Sequence, residues 1–261
     1  MNKVDIESLS FLQRIHGDIC ELMHLASGPF RYFMVLMDAS CRWSHVCLLS
    51  TRNVAFARLL VQIIKFRAHF PEHSIKSIRM DNVGEFTSKS FDAYCASLGI
   101  EVEHPVPHVY THNGLAESMI KCVQIIARTL LLRTKLGSSA WGHAVLHAAA
   151  LIRIRPTALH THFSLQLVFG HEPYISHLLT FGCAVQVPIV PPQRTKMGPQ
   201  RRLGNYVGYN LLSIIRLLKP LTGDLFTVRF ADYHFDETQF SSLGTPKAFK
   251  EENQKKVDIL S

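Results

Sequence analysis

The sequence lacks the features of a secreted or membrane-spanning protein. Its 261 residues include six cysteines, which are scattered singly and form no Cys-x-x-Cys pair. Disulfide-stabilised domains are far denser in cysteine, so the pattern favours free thiols and a reducing compartment. No stretch of about 18 apolar residues occurs, and Asp5 and Glu7 interrupt the start of the chain before a signal-peptide core could form. We therefore expect an intracellular protein with no signal peptide or transmembrane segment.

Acidic residues are scarce in one long part of the chain. Lys and Arg total 28 against 20 Asp and Glu, for a formal net charge of +8. The excess is local, because residues 118–230 hold 13 basic and two acidic side chains, whereas residues 1–117 hold 11 and 12. Such a basic block can bind the phosphate backbone of a nucleic acid, and a solvated basic surface is the alternative. With 47% hydrophobic residues, the chain has enough apolar material for a sizeable core.

The hydrophobic pattern of the first 155 residues alternates between strand and helix periods, which predicts an α/β fold. Strands are predicted at 12–19, 30–38, 43–49, 75–80 and 101–103, and helices at about 53–68, 88–98, 115–135 and 139–154. The second and third strands form a hairpin. Asn53 is the predicted N-cap of the first helix, whose apolar residues at helical spacing are Val54, Ala57, Leu60, Val61, Ile64 and Ala68.

Beyond Gly170 the pattern changes to short β-like runs separated by turn residues, as in a small barrel. These runs lie at 184–187, 203–209, 214–218 and 224–230. We therefore place a domain boundary near 171–178. The predicted organisation is an extension at 1–10, an α/β core at 11–172, a small β domain at 177–238 and a polar, disordered tail at 241–261.

Two acidic residues occupy places from which they can meet at one edge of the sheet. Asp81 follows the strand at 75–80, and Glu117 lies near the start of the helix at 115–135, with 35 residues between them. Hard divalent cations such as Mg²⁺ prefer oxygen ligands, and a pair of them can polarise a phosphodiester. A cage for two ions needs a third carboxylate. Asp18 and Asp38, each near the end of a predicted strand, are the two candidates.

The segments around these residues resemble a known family. Met80-Asp-Asn-Val-Gly-Glu-Phe-Thr87 and His112-Asn-Gly-Leu-Ala-Glu-Ser118 are similar to the second-Asp and Glu motifs of copia-type retrotransposon integrases. Further similarity lies at 15–20, 32–38, 152–156 and 181–183, so the resemblance covers about residues 11–236.

The resemblance implies a ribonuclease-H-like core, with a mixed five-stranded sheet flanked by helices, followed by a small SH3-like β-barrel. It implies Asp18, Asp81 and Glu117 as the catalytic and metal-binding residues of a D,D-35-E site. Two Mg²⁺ or Mn²⁺ ions are expected and no zinc. The implied reactions are 3′-end processing and strand transfer on DNA, in the nucleus. Asp38 is interpreted as a turn or N-cap carboxylate.

The expected partners are element ends and target DNA, bound with little sequence preference, and further copies of the chain. The predicted DNA-binding residues are Asn113, Lys121, Arg128, Lys135, Arg201 and Arg202. Lys121, Arg128 and Lys135 recur every seven residues, which predicts one helix face along a phosphate backbone or, alternatively, a solvated face. His104, His108 and His112 recur every four residues, but the prolines between them exclude a helix, so loop histidines are expected rather than zinc ligands.

Two other functions stay open, and departures from the family pattern favour the first of them. Val83 stands where the family usually has Gly, and Ser118 stands where Arg commonly follows the Glu. One alternative is therefore a non-catalytic DNA-binding remnant of a retroelement. The other is a ribonuclease-H-like nuclease that cuts RNA–DNA hybrids, which would use the same acids without the small β domain.

Overall fold

The computed structural model describes residues 9–22, 28–80, 86, 89–103, 113–156, 161–191, 193–229 and 233–243. The chain divides into two compact units, residues 1–129 with 141–174 and residues 130–140 with 175–261. Residues 130–140, which the sequence pattern assigns to the α/β core, thus group with the second unit.

The first unit is built on a mixed five-stranded sheet with the spatial order β3-β2-β1-β4-β5. Strands β1 to β3 are antiparallel neighbours, whereas β4 and β5 run parallel to β1. The bounds are β1 Arg14–Glu21, β2 Tyr32–Asp38, β3 Ser44–Leu49, β4 Ser77–Met80 and β5 Glu101–Glu103. The predicted strands and the β2–β3 hairpin are confirmed, with ends that differ by at most two residues.

In the described parts of the chain, five α-helices accompany the strands: α1 Ala55–His69, α2 Lys89–Ser97, α3 Gly114–Arg133, α4 Trp141–Arg153 and α5 Ser164–Phe169. Short 3-10 turns precede α1 and α4, at Arg52–Val54 and Ser138–Ala140. The first four helices were predicted. Helix α5 was not, because six residues give too little periodicity to separate a helix from a loop.

Helix α1 buries a different face from the predicted apolar stripe. Leu59, Ile63 and Phe66 face the core, whereas Val61 is 44% and Ile64 is 56% exposed. Both faces of this helix carry apolar residues, so the period alone could not choose between them. The predicted N-cap at Asn53 is also wrong, because this residue lies inside the 3-10 turn and α1 starts without a side-chain cap.

The core of the first unit lies between the sheet and α1 and α2. Aromatic rings close one end of it, where Trp43 meets Phe11 and Phe66 edge-on at centroid distances of 6.1 and 5.4 Å. Such edge-to-face pairs stabilise a core beyond the area they bury. Met34, Leu36, Leu59, Ile63, Ile78, Met80, Phe91 and Cys95 are among its fully buried members.

The second unit holds an antiparallel five-stranded sheet with the order β10-β6-β7-β8-β9. The bounds are β6 Cys183–Pro188, β7 Arg201–Leu211, β8 Ile214–Leu218, β9 Leu225–Arg229 and β10 His234–Phe240. Tyr206, Ile215 and Leu217 are fully buried in its core. Strand β10 was missed in the sequence because its residues are mostly polar and exposed, which hides the strand period.

Two expectations about the whole chain can be compared with the fold. All six cysteines are free thiols. Among the residues that the structure describes, no helix has the length and apolar character needed to cross a membrane.

Candidate active site

Asp18 lies in the middle of the sheet, on β1, and is half-buried. Its Oδ1 accepts a hydrogen bond from the Ile19 N–H at 2.7 Å. The neighbouring Gly17 faces the core, where a methyl group on its Cα would lie 2.8 Å from Leu36 Cδ2. Because side chains alternate along a strand, His16, Asp18 and Cys20 share the opposite face.

Helix α3 is joined to this face of β1 at two points. The amide of Asn113, directly before the helix, donates to the Gly17 carbonyl at 2.9 Å. Three turns later, the amide of Gln124 donates to Cys20 Sγ at 3.1 Å. The two contacts lie on either side of Asp18 along β1, so they fix α3 against this stretch of the strand.

Glu117 lies on the same face of α3 as these two contacts. With 3.6 residues per turn, positions 113, 117 and 124 fall within about 40° of one another around the helix axis. The helix rises about 1.5 Å per residue, so Glu117 is about 6 Å along the roughly 16 Å from Asn113 to Gln124. On β1, Asp18 is likewise one residue beyond Gly17, and Cys20 is three residues beyond it. The half-buried Glu117 is therefore on the side of α3 that is joined to β1 near Asp18.

The third predicted ligand, Asp81, lies outside the described residues, as do Val83, His104, His108 and His112. The described chain reaches its neighbour Met80, which is paired in parallel with Gly17, the residue before Asp18. Within the described ranges, no group of three His, Cys, Asp or Glu side chains could hold a metal ion. Of the three predicted metal ligands, the structure therefore describes two, Asp18 on β1 and Glu117 on α3.

The chemistry of the surrounding groups fits a hard cation better than a soft one. Burial, followed by the charge of Asp18, raises the pKa of the Cys20 thiol to about 11, so this sulfur stays protonated near neutral pH. Burial, followed by the charges of Arg79 and Arg14, lowers the pKa of His16 to about 4. Carboxylate oxygens are the ligands preferred by Mg²⁺ and Mn²⁺. Asp18 and Glu117 therefore suit such an ion.

Asp38, the other candidate for the first position, is a turn carboxylate. It is 2% exposed. Its Oδ1 accepts from the Leu12 N–H at 2.8 Å and its Oδ2 from the Cys41 N–H at 2.7 Å. Both oxygens are therefore committed to holding the β2–β3 turn against the start of β1. This agrees with the structural role that the sequence analysis favours for Asp38.

An ion-pair trio on the sheet was not recognised in the sequence. Arg14 on β1 and Arg79 on β4 both contact Oε2 of Glu103 on β5, and Arg79 Nε donates to it at 2.9 Å. The pKa of Glu103 is lowered overall. Burial is the largest single influence and acts to raise this pKa, but hydrogen bonds from Arg14 and Ser77 and the charges of the two arginines together outweigh it. The trio joins three strands and lies beside His16, which is paired with Arg79 in the sheet. The members are 24 to 89 residues apart in the chain, so no local pattern reveals the trio.

The predicted basic stripe on α3 is shorter than expected. Lys121 and Arg128 are exposed and lie two turns apart on the helix. Lys135 is exposed but comes after the end of α3 at Arg133, so the helical period cannot carry it onto the same face. Asn113 is only 5% exposed and its amide binds Gly17. Contact of these four side chains with DNA stays a prediction.

Two further predicted DNA contacts lie at the start of β7. Arg201 is exposed, and its Nη1 donates to the Gln186 carbonyl on β6 at 3.2 Å. The Arg202 guanidinium lies over the Phe226 ring, 4.4 Å from its centroid. This cation–π contact holds Arg202 along the sheet.

Comparison with known proteins agrees with the fold of the first unit. Residues 11–108 match the integrase core domain family, whose fold is ribonuclease-H-like, and the mixed five-stranded sheet fits that fold. Residues 11–108 of the first unit are therefore similar to an integrase core domain.

The relatives over a longer range are retrovirus-related Pol polyproteins. The one from transposon TNT 1-94 of Nicotiana tabacum is 33% identical over 207 residues, which are 77% of this chain and 15% of that protein. Those from transposons RE2 and RE1 of Arabidopsis thaliana are each 27% identical over 90% of this chain and 16% of theirs. The chain thus spans less than a fifth of the length of these relatives, and it belongs with the integrase part of retrotransposon Pol polyproteins.

Proposed function

We propose that the first unit is a metal-dependent polynucleotidyl transferase that acts on DNA. Asp18, Asp81 and Glu117 are its proposed metal ligands. The observation that carries the proposal is the pair of hydrogen bonds that join the Glu117 side of α3 to β1 on either side of Asp18. The pairing of Met80 with Gly17 supports the addition of Asp81, the next residue in the chain.

The reactions proposed are 3′-end processing and strand transfer. Two bound Mg²⁺ or Mn²⁺ ions would activate the attacking hydroxyl and stabilise the leaving oxygen of a phosphodiester. The protein supplies the geometry: Asp18 extends from the central strand of the sheet, and Glu117 from the first turn of a 20-residue helix. Ligands on such rigid elements keep their separation when DNA binds.

The proposal for DNA binding rests on exposed cations in each unit. Lys121 and Arg128 lie on α3, the helix that carries Glu117, and Arg201 lies on β7 of the second unit. We propose that the second sheet is an SH3-like barrel that binds the phosphate backbone with little sequence preference, as part of a homo-oligomer in the nucleus. The antiparallel order of its five strands supports the barrel assignment, and the exposed Arg201 supports the binding of phosphate.

The metal site is tested by Mn²⁺ binding to the full chain, followed by electron paramagnetic resonance. We expect Asp18→Asn and Glu117→Gln each to weaken binding by about tenfold or more, because each removes one carboxylate ligand. Glu21→Gln, an exposed carboxylate at the end of the same strand, is the matched control and should bind as the unaltered chain does.

The reaction is tested with a labelled, processed DNA end and a target duplex. Weak joining by the 261-residue chain, abolished by Asp18→Asn, would support the proposal. Mn²⁺ binding without joining would favour the non-catalytic remnant instead. Cleavage of the RNA strand in an RNA–DNA hybrid, without joining of DNA, would favour the nuclease.

A further inference from the structure

We propose that Asn113 and Gln124 are positioning residues, which together act as a clasp that sets the separation of Asp18 and Glu117. The proposal rests on the metal site described above and adds two residues that do not touch the metal. The sequence alone predicts Asn113 as a DNA contact and gives Gln124 no role.

Asn113 connects the two carboxylates through neighbouring backbone. Its side-chain amide donates to the carbonyl of Gly17, the residue before Asp18, at 2.9 Å. Its own carbonyl accepts the Glu117 N–H at 3.2 Å, the first hydrogen bond of the helix. One buried residue therefore links the backbone beside Asp18 to the backbone of Glu117, and a change in either bond alters the distance between the ligands.

Gln124 supplies the second point of attachment. Its amide donates to the Cys20 thiol, two residues after Asp18 and on the same face of β1. A single anchor at Asn113 would leave α3 able to pivot about that point. A second anchor roughly 16 Å further along the helix removes this freedom. Both anchors lie on the same side of α3 as Glu117, so they also fix the rotation of the helix about its axis.

Residues that hydrogen-bond to metal ligands or to the backbone beside them contribute strongly to metal affinity. Their loss weakens metal binding by about 10- to 100-fold. The clasp is tested with Asn113→Leu and Gln124→Met, which keep the side-chain volume and remove the donor. Thr129→Ala, on the exposed side of α3, is the matched control. Mn²⁺ affinity is measured by paramagnetic resonance, and stability by urea unfolding on the same samples.

We expect Asn113→Leu to weaken Mn²⁺ binding by about 10- to 100-fold, and Gln124→Met by a smaller factor, with no change for Thr129→Ala. Cys20→Ser keeps an acceptor for Gln124 and should bind Mn²⁺ normally, whereas Cys20→Ala should behave like Gln124→Met. The double variant Cys20→Ala with Gln124→Met should be no weaker than either single variant, because all three lack the same contact.

Two results would overturn the clasp. If both isosteric variants unfold at lower urea but bind Mn²⁺ within twofold of the unaltered chain, these residues stabilise the fold without positioning the ligands. If the unaltered chain binds no Mn²⁺, the metal site fails and the clasp fails with it. The Asp18→Asn variant distinguishes the cases, since it loses binding only when the site exists.

Discussion

Gly17 is the residue whose substitution most directly tests the packing beneath the candidate site. It precedes Asp18, and its Cα faces the side chains of Leu36 and Met80, which are 1% and 0% exposed. A methyl group at this position would lie 2.8 Å from Leu36 Cδ2 and 2.9 Å from Met80 Cε. Both distances are well below van der Waals contact, so Gly17→Ala forces two core side chains or β1 itself to move.

The expected cost follows from the burial of both neighbours. Forcing an extra methyl group into a well-packed core typically costs about 1–3 kcal/mol. Met80 is flexible, but it is fully buried in the core, so its movement disturbs the side chains packed around it. We therefore expect Gly17→Ala to lower the free energy of unfolding by about 2 kcal/mol. Any part of the strain relieved by movement of β1 displaces Asp18 and weakens Mn²⁺ binding as well.

Gly114 provides a matched control close to the site. It opens α3 and is exposed, and a methyl group on its Cα would meet no atom within 4 Å. Gly114→Ala should leave stability unchanged or raise it by about 0.5–1 kcal/mol, because alanine favours a helix. Urea unfolding followed by circular dichroism measures both variants. A Gly17→Ala chain as stable as the unaltered one would refute the packing argument, as would equal losses for the two glycines.

Three further predictions concern stability and DNA binding. Asp38→Asn should lower the free energy of unfolding by about 1–3 kcal/mol, since a carboxylate oxygen that accepts a backbone N–H is lost; an unchanged urea midpoint would contradict this. Burial, aided at His16 by arginine charges, lowers the pKa values of His16 and His147 to about 4. In the unfolded chain these histidines bind a proton below about pH 6.5, whereas in the folded chain they stay neutral down to about pH 4. The free energy of unfolding should therefore be unaffected by them above about pH 6.5 and should fall toward pH 4 by up to about 1.4 kcal/mol per pH unit for each histidine. Equal urea midpoints at pH 7 and pH 4.5 would disprove this prediction. Replacing Lys121 and Arg128 by alanine should reduce the slope of log affinity for duplex DNA against log salt by about two, and an unaltered slope would exclude them as phosphate contacts.

Much of the fold could be predicted because strand and helix periods differ and turn residues separate the elements. The errors occur where the pattern is symmetric or weak. Helix α1 has apolar residues on two faces, and only the shape of the core selects the face with Leu59 and Phe66. Strand β10 exposes most of its side chains, so no buried stripe marks it. In both cases tertiary contacts decide what local sequence leaves open.

The candidate site was predictable to a different extent. The residue types of Asp18 and Glu117, and their place on a strand and at a helix start, follow from motif and period. The contacts that bring these two elements together do not. Asn113 precedes a Gly at a turn, a place that suits DNA contact as well as burial, and Gln124 is one polar residue within a long helix. Their partners on β1 lie 96 and 104 residues away, so only the folded chain reveals them.

The charges on the sheet bear on how carboxylates would come together at the proposed site before a metal binds. Arg14 and Arg79 share one acid, Glu103, so the trio contributes a positive charge beside β1. His16 lies close enough to feel this charge, because after burial the charges of the two arginines are the largest causes of its lowered pKa. The same positive charge attracts the carboxylate of Asp18, two residues further along the same face of β1. The arginines would therefore offset part of the repulsion between Asp18 and Glu117 when the two carboxylates share a metal site.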